Sequence, residues 1–103
     1  METNKEGDVT LSVVMPAYNE GTHITDNLLE TSRVLSGFVK RYEIIAVDDG
    51  SADNTAECIN RAEMQDTHIR GISYQPNGGK GHAIRTGIVA DYLLYVFLHY
   101  RRA

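Results

Sequence analysis

Tyr42-Glu43-Ile44-Ile45-Ala46-Val47-Asp48-Asp49-Gly50-Ser51 is an apolar, β-branched run that ends in two carboxylates, a glycine and a small hydroxyl residue. Such a run reads as a buried parallel strand over residues 43–47 that delivers its acids to the carboxyl edge of a sheet. That edge is where open α/β sheets bind ligands. Adjacent carboxylates repel one another and cost desolvation, so this ending favours a donor-rich or cationic ligand. A capped helix start with one spare acid is the other reading of the same residues.

Working outward, Leu11-Ser12-Val13-Val14-Met15 is a short apolar strand stopped by Pro16, which cannot donate a ladder hydrogen bond. Between these strands, Ile24, Leu28, Leu35 and Val39 recur at helical spacing, which predicts a helix over residues 22–39 with Gly37 near its end. After the acidic pair, Ser51 or Asp53 can cap a helix running to Met64, with Ala56, Ile59 and Ala62 on its inner face. Residues 68–74 alternate through Ile69, Ile72 and Tyr74 as a third strand, followed by the dense turn signal Gln75-Pro76-Asn77-Gly78-Gly79. Helical spacing resumes over residues 83–89 with Ile84 and Ile88, and residues 93–98 read as a fourth strand. The order β-α-β-α-β-α-β predicts a mostly parallel sheet with right-handed crossovers, a Rossmann-like α/β structure.

A chain of 103 residues with 42% hydrophobic residues has room for one small domain and not for two. Residues 1–8 are polar and read as a flexible tail, with neither a signal peptide nor a transit pattern. Residues 1–50 carry nine acids and four bases, residues 51–103 five acids and six bases, and no basic stripe marks a nucleic-acid footprint. Cys58, the single cysteine, excludes an intrachain disulfide and reads as a buried, inert thiol in a reducing compartment. The most apolar stretch, residues 92–100, is about half the length of a membrane-spanning helix.

Three loops fall on the carboxyl edge of this predicted sheet. Pro16-Ala17-Tyr18-Asn19-Glu20 offers an aromatic face, an amide and a carboxylate suited to a nucleobase and ribose, or is a turn in which Tyr18 covers the core. Asp48 to Ser51 offers acceptors for base N–H groups or ribose hydroxyls, or part of a divalent-metal site. Asn77-Gly78-Gly79-Lys80-Gly81-His82, with Arg85 close behind, suits a diphosphate at a helix N-terminus, or is a flexible turn. Two better-known phosphate motifs do not fit. Lys80 is followed by Gly81 where a Walker A loop needs Ser or Thr, and Ile84 stands where a dinucleotide fingerprint needs its third glycine. A phospho-acceptor receiver domain is also a poor match, because its acidic pair should follow the first strand.

The three motifs in order, Val14-Met15-Pro16-Ala17-Tyr18-Asn19-Glu20, then Val47-Asp48-Asp49-Gly50-Ser51-Ala52-Asp53-Asn54-Thr55, then Asn77-Gly78-Gly79-Lys80-Gly81-His82-Ala83-Ile84-Arg85-Thr86-Gly87, closely resemble the family 2 glycosyltransferases. Within them the chain looks most like the branch that moves sugars onto dolichyl or other polyprenyl phosphates, over residues 11–88. The resemblance implies the nucleotide-binding half of a GT-A fold and a site for a UDP- or GDP-linked sugar. By that similarity Pro16, Ala17, Tyr18 and Glu20 line the base and ribose pocket and Asp48 and Asp49 contact the base or ribose. Gly79, Lys80 and Arg85 then lie toward the diphosphate or the acceptor. The family also implies Mg²⁺ or Mn²⁺ as Lewis acid and clamp on the leaving diphosphate.

The chain departs from the family where an Asp-x-Asp should close the fourth strand, because none follows the glycine loop. A truncated family 2 domain over residues 9–103 is therefore expected, without the metal site and with little transfer activity of its own. The resemblance further implies a polyprenyl-phosphate acceptor and a cytoplasmic protein at the cytosolic membrane face. The competing expectation is a non-catalytic interaction or regulatory module, associating with a partner or with itself through an exposed sheet edge.

Overall fold

The computed structural model describes residues 11–37 and 39–90. In chain order these form β1 (Leu11–Ala17), α1 (Ile24–Ser36), β2 (Tyr42–Asp49), α2 (Thr55–Gln65), β3 (Ile69–Tyr74) and α3 (Lys80–Ala90). The expected tail, fourth strand and Asp-x-Asp position lie outside the described residues. The three strands form one parallel sheet in the order β1-β2-β3, with register running from Leu11↔Tyr42 to Ala17↔Asp48 and from Ile44↔Ile69 to Asp49↔Tyr74. The architecture is open α/β.

Because side chains alternate along a strand, the sheet has two apolar faces. Val13, Met15, Ile44 and Ala46 face Ile24 and Leu28 of α1 and Cys58, Ile59 and Ala62 of α2. Val14, Ile45 and Val47 face Ala83 of α3, with Ile72 and Tyr74 at the margin. Ile44 and Ile45, neighbours in sequence and both fully buried, therefore anchor opposite layers. Full burial of each contributes about 1.5–3 kcal/mol.

Four elements depart from the expected bounds, among them α1, which starts at Ile24 and ends at Ser36 where the spacing predicts a helix over residues 22–39. β1 continues past Met15, with Pro16 opposite Val47, since β1 has one strand neighbour among the described residues and an outer strand tolerates a missing N–H. β2 runs through both aspartates, which belong to the strand end and not to the loop after it. α3 starts at Lys80, three residues earlier than the apolar spacing predicts, so the glycine loop is shorter and the helix longer. The stripe of α1 also differs: after Ile24 and Leu28 the next buried position is Ser32, while Leu35 and Val39 are partly buried at the edge of the cluster. Ser32 is admitted because its hydroxyl bonds Tyr42 Oη at 2.7 Å.

Candidate functional site

The carboxyl ends of β1, β2 and β3 bring the three predicted loops to one edge, with the loop after β2 between the others. That middle loop clips the first. Ser51 Oγ accepts from Asn19 N at 2.9 Å, Thr55 Oγ1 from Glu20 N at 2.9 Å, and Asp53 Oδ2 from Gly21 N at 3.1 Å. In return Asn19 Oδ1 accepts from Ala52 N at 2.9 Å. Asn19 adopts a left-handed φ of 54°, a conformation asparagine tolerates better than most residues. Asp53 also accepts from Thr55 N at 3.0 Å, but the N-cap position of α2 is Asn54 and not Ser51 or Asp53 as the sequence suggests. Burial would raise the Asp53 pKa, but the bonds from Thr55 and Gly21 outweigh that and hold it below the ordinary value.

The acidic pair does not act as a pair. Consecutive strand residues point to opposite faces, and the two aspartates, both buried, have different partners. Asp48 Oδ1 accepts the nearby Ser51 N at 3.1 Å. Asp49 reaches into the third loop. Its Oδ1 accepts from Tyr74 Oη at 2.6 Å and Gly78 N at 2.9 Å, and its Oδ2 from Asn77 Nδ2 at 2.8 Å and Gly79 N at 3.0 Å. Four donors match the four acceptor directions of a carboxylate. Burial, then the hydrogen bond and charge of Asp49, push the Tyr74 phenol above its usual range, so it stays a protonated donor at neutral pH.

Of the other expected residues, Pro16 and Ala17 are buried within β1. Tyr18, half-buried, is the first side chain of that loop open to solvent. Glu20 is 6% exposed, and its Oε2 is a buried side-chain atom without a hydrogen-bond partner among the described residues. Lys80 opens α3. Arg85 is exposed, its guanidinium over the backbone at Gly81. The first ladder bond of α3 runs from Ala83 N to Gly79 O at 3.1 Å, which leaves the amides of Lys80, Gly81 and His82 ahead of the helical ladder.

Residues that organise the site were not all singled out from the sequence. Tyr74, Asn77, Ser51 and Thr55 hold the loops together. Tyr74 had a signal: two parallel strands ending level place it beside Asp49. Among the described residues no three His, Cys, Asp or Glu side chains converge to hold a metal ion.

A parallel sheet with helices on both faces and three loops gathered at its carboxyl edge is the open α/β class of protein, in which that edge is where ligands bind. The family model for glycosyl transferase family 2 matches residues 12–90, and the chain belongs to that family. It is 37% identical over 78 residues to an undecaprenyl-phosphate 4-deoxy-4-formamido-L-arabinose transferase of Shewanella sediminis, covering 75% of this chain and 24% of that protein. It is 35% identical over 94 residues to a dolichyl-phosphate beta-glucosyltransferase of Saccharomyces cerevisiae, covering 85% and 28%. A corresponding enzyme of Dictyostelium discoideum is 34% identical over 95 residues, covering 85% and 29%. The chain thus spans about a quarter of the length of these relatives. Among solved structures, a mannosyltransferase from Pyrobaculum calidifontis in complex with GDP-Man and Mn²⁺ has the same fold, with a TM-score of 0.71 and 22% identity over 84% of this chain and 25% of that one.

Proposed function

We propose that this sheet edge binds a nucleoside-diphosphate sugar, as the donor half of a transferase that moves the sugar to a polyprenyl phosphate. The observation that carries the reading is Glu20 Oε2. A buried polar atom without a partner costs about 1–3 kcal/mol, and more when charged, so this position calls for a donor that the described residues do not supply. A ribose hydroxyl or a base N–H meets that need. Half-buried Tyr18 offers a stacking face beside it, and Asp48 offers a second carboxylate. The diphosphate then lies toward the first turn of α3, where partial positive charge is reinforced by the exposed Arg85.

Transfer onto dolichyl or undecaprenyl phosphate is carried over from the relatives, and a polyprenyl acceptor would bring the protein to a membrane face. No helix among the described residues is long and apolar enough to cross a membrane. Mg²⁺ or Mn²⁺ would act in the longer proteins as a Lewis acid on the leaving diphosphate. The function proposed for this stretch is donor binding.

Amide NMR titration of the 103-residue chain with UDP-glucose and GDP-mannose, each with and without Mg²⁺, tests the reading. The expected result is saturable shifts at Tyr18, Glu20 and Asp48 with one of the two nucleotides, weakened about tenfold by Glu20→Gln. A dispersed spectrum that neither nucleotide moves would overturn it in favour of the interaction module.

A further inference from the structure

We infer that Asp49 is a positioning residue, which holds the glycine-rich loop and the first turn of α3 in the orientation that receives the diphosphate, without touching the donor itself. The inference rests on the nucleotide-sugar reading above and assigns a role within that site.

Its basis is the direction of the hydrogen bonds. The amides of Gly78 and Gly79 point inward, to Asp49 Oδ1 at 2.9 Å and Oδ2 at 3.0 Å. They are therefore not available to an anion outside. The amides left for a diphosphate are those of Lys80, Gly81 and His82, and their orientation follows from the two glycines before them. Asp49 thus decides where the helix N-terminus points. Asn77 Nδ2 adds bonds to Asp49 O at 2.9 Å and to Oδ2 at 2.8 Å.

A second set of contacts closes the same seam. Gln75 Nε2 donates to Ser51 O at 3.1 Å, and the Gly50 backbone lies so close to Asn77 that a Cβ there would stand 2.3 Å from its nitrogen. Tyr74, bonded to Asp49 through its hydroxyl, meets the His82 ring edge-to-face with centroids 4.8 Å apart. The clip therefore extends into the first turn of α3.

The electrostatics agree. An uncompensated carboxylate beside a diphosphate would repel it. Asp49 is 0% exposed and its charge is met by four donors, so it can sit beneath the loop without opposing the ligand above. Asparagine is a poor substitute, because its NH₂ would face N–H and O–H donors where an acceptor is needed.

The test compares the full chain with Asp49→Asn and Tyr74→Phe. It measures affinity for the nucleosides uridine and guanosine against UDP and GDP, together with amide hydrogen exchange at Gly78 and Gly79. For Asp49→Asn the nucleoside affinity is expected to stay within about twofold, while the diphosphate affinity falls at least about tenfold and the two glycine amides exchange about tenfold faster. Tyr74→Phe removes one donor and buries no new charge, so it decides the question if Asp49→Asn does not fold. It should move the same quantities in the same direction, by about threefold. Equal losses for nucleoside and diphosphate would make Asp49 a donor contact, or a purely structural residue, and overturn the inference. So would faster glycine exchange with unchanged diphosphate affinity. A wild-type chain that binds no nucleotide overturns the reading beneath both, whereas one that binds normally while Asp49→Asn loses both ligands equally overturns the positioning role alone.

Discussion

Gly50 and Gly79 both hold positive φ, +68° and +90°, yet they are not equivalent residues. A Cβ on Gly50 would stand 2.3 Å from Asn77 N and 2.6 Å from Asn77 Cα, both backbone atoms that cannot swing aside, whereas nothing lies within 4 Å of one on Gly79. Gly50→Ala therefore incurs about 1–2 kcal/mol of left-handed backbone strain and about 1–3 kcal/mol more for the forced separation of two loops. Gly79→Ala incurs only the first. Urea midpoints of the two variants should differ accordingly, with Gly50→Ala the less stable by about 1–3 kcal/mol, and equal losses would mean that the loops part without resistance. At this scale the sequence was a partial guide. The residue types of the site, Tyr18, Glu20, the aspartates and the glycine loop, were legible as chemistry at a sheet edge. The difference between Asp48 and Asp49 was not, because it depends on which face of the pleat each carboxylate takes, and that requires the strand to be known to continue through both.

Within α3 the same substitution at two glycines should have opposite signs. Gly81 has only the Arg85 guanidinium near its missing Cβ, at 3.5 Å, an ordinary contact with a flexible group. Gly81→Ala should raise stability by up to about 0.5–1 kcal/mol through reduced backbone entropy in the unfolded chain. Gly87 is buried where α3 crosses β1, and its Cβ would meet Val14 Cγ1 at 2.7 Å. Gly87→Ala should lower stability by about 1–3 kcal/mol, since the helix must lift from the sheet face. Thermal melts of the two variants check both signs, and stabilisation by Gly87→Ala would show that the helix seat is loose. Element types were legible from periodicity because β-branched runs and helical stripes report burial directly. Their ends were less so. Pro16 read as a stop, but an outer strand accommodates it. Ser32 was passed over in the α1 stripe because a hydroxyl looks solvent-facing until Tyr42, ten residues on, is brought beneath it.

The whole molecule has two unlike edges. The carboxyl edge carries the buried, unpartnered acceptor of Glu20 and the exposed Arg85 of α3, while the opposite edge holds a closed polar cluster with its hydrogen bonds directed inward. There Tyr42 stacks on His68 with centroids 4.1 Å apart and planes 7° apart, and Tyr42 Oη gives its proton to Ser32 Oγ at 2.7 Å, with Ser32 O a further 2.9 Å neighbour. Asp66 accepts from Ser32 Oγ, from His68 N at 2.9 Å, and pairs with His68 Nδ1 at 2.7 Å. One carboxylate thereby joins α1, the α2–β3 connection and the start of β2. Burial would raise the Asp66 pKa, but its bonds to Ser32 and His68 outweigh that and lower it. A carboxyl group whose pKa is lower folded than unfolded adds stability that is complete above its unfolded value, near 4, and is lost as pH falls through the folded value. Wild type should therefore be more stable than Asp66→Asn at pH 7, and the gap between their urea midpoints should narrow below about pH 4. Carboxylates common to both proteins largely cancel in that difference, and a gap that does not change with pH would assign the effect to packing instead of titration. Because the cluster lies at the far edge from the ligand loops, Asp66→Asn should leave nucleotide affinity at pH 7 within about twofold of wild type, as expected for sites that share no partners. A larger loss would mean that the two edges are coupled through the sheet, and that the site depends on the rigidity of the whole molecule as well as on the seam between its loops.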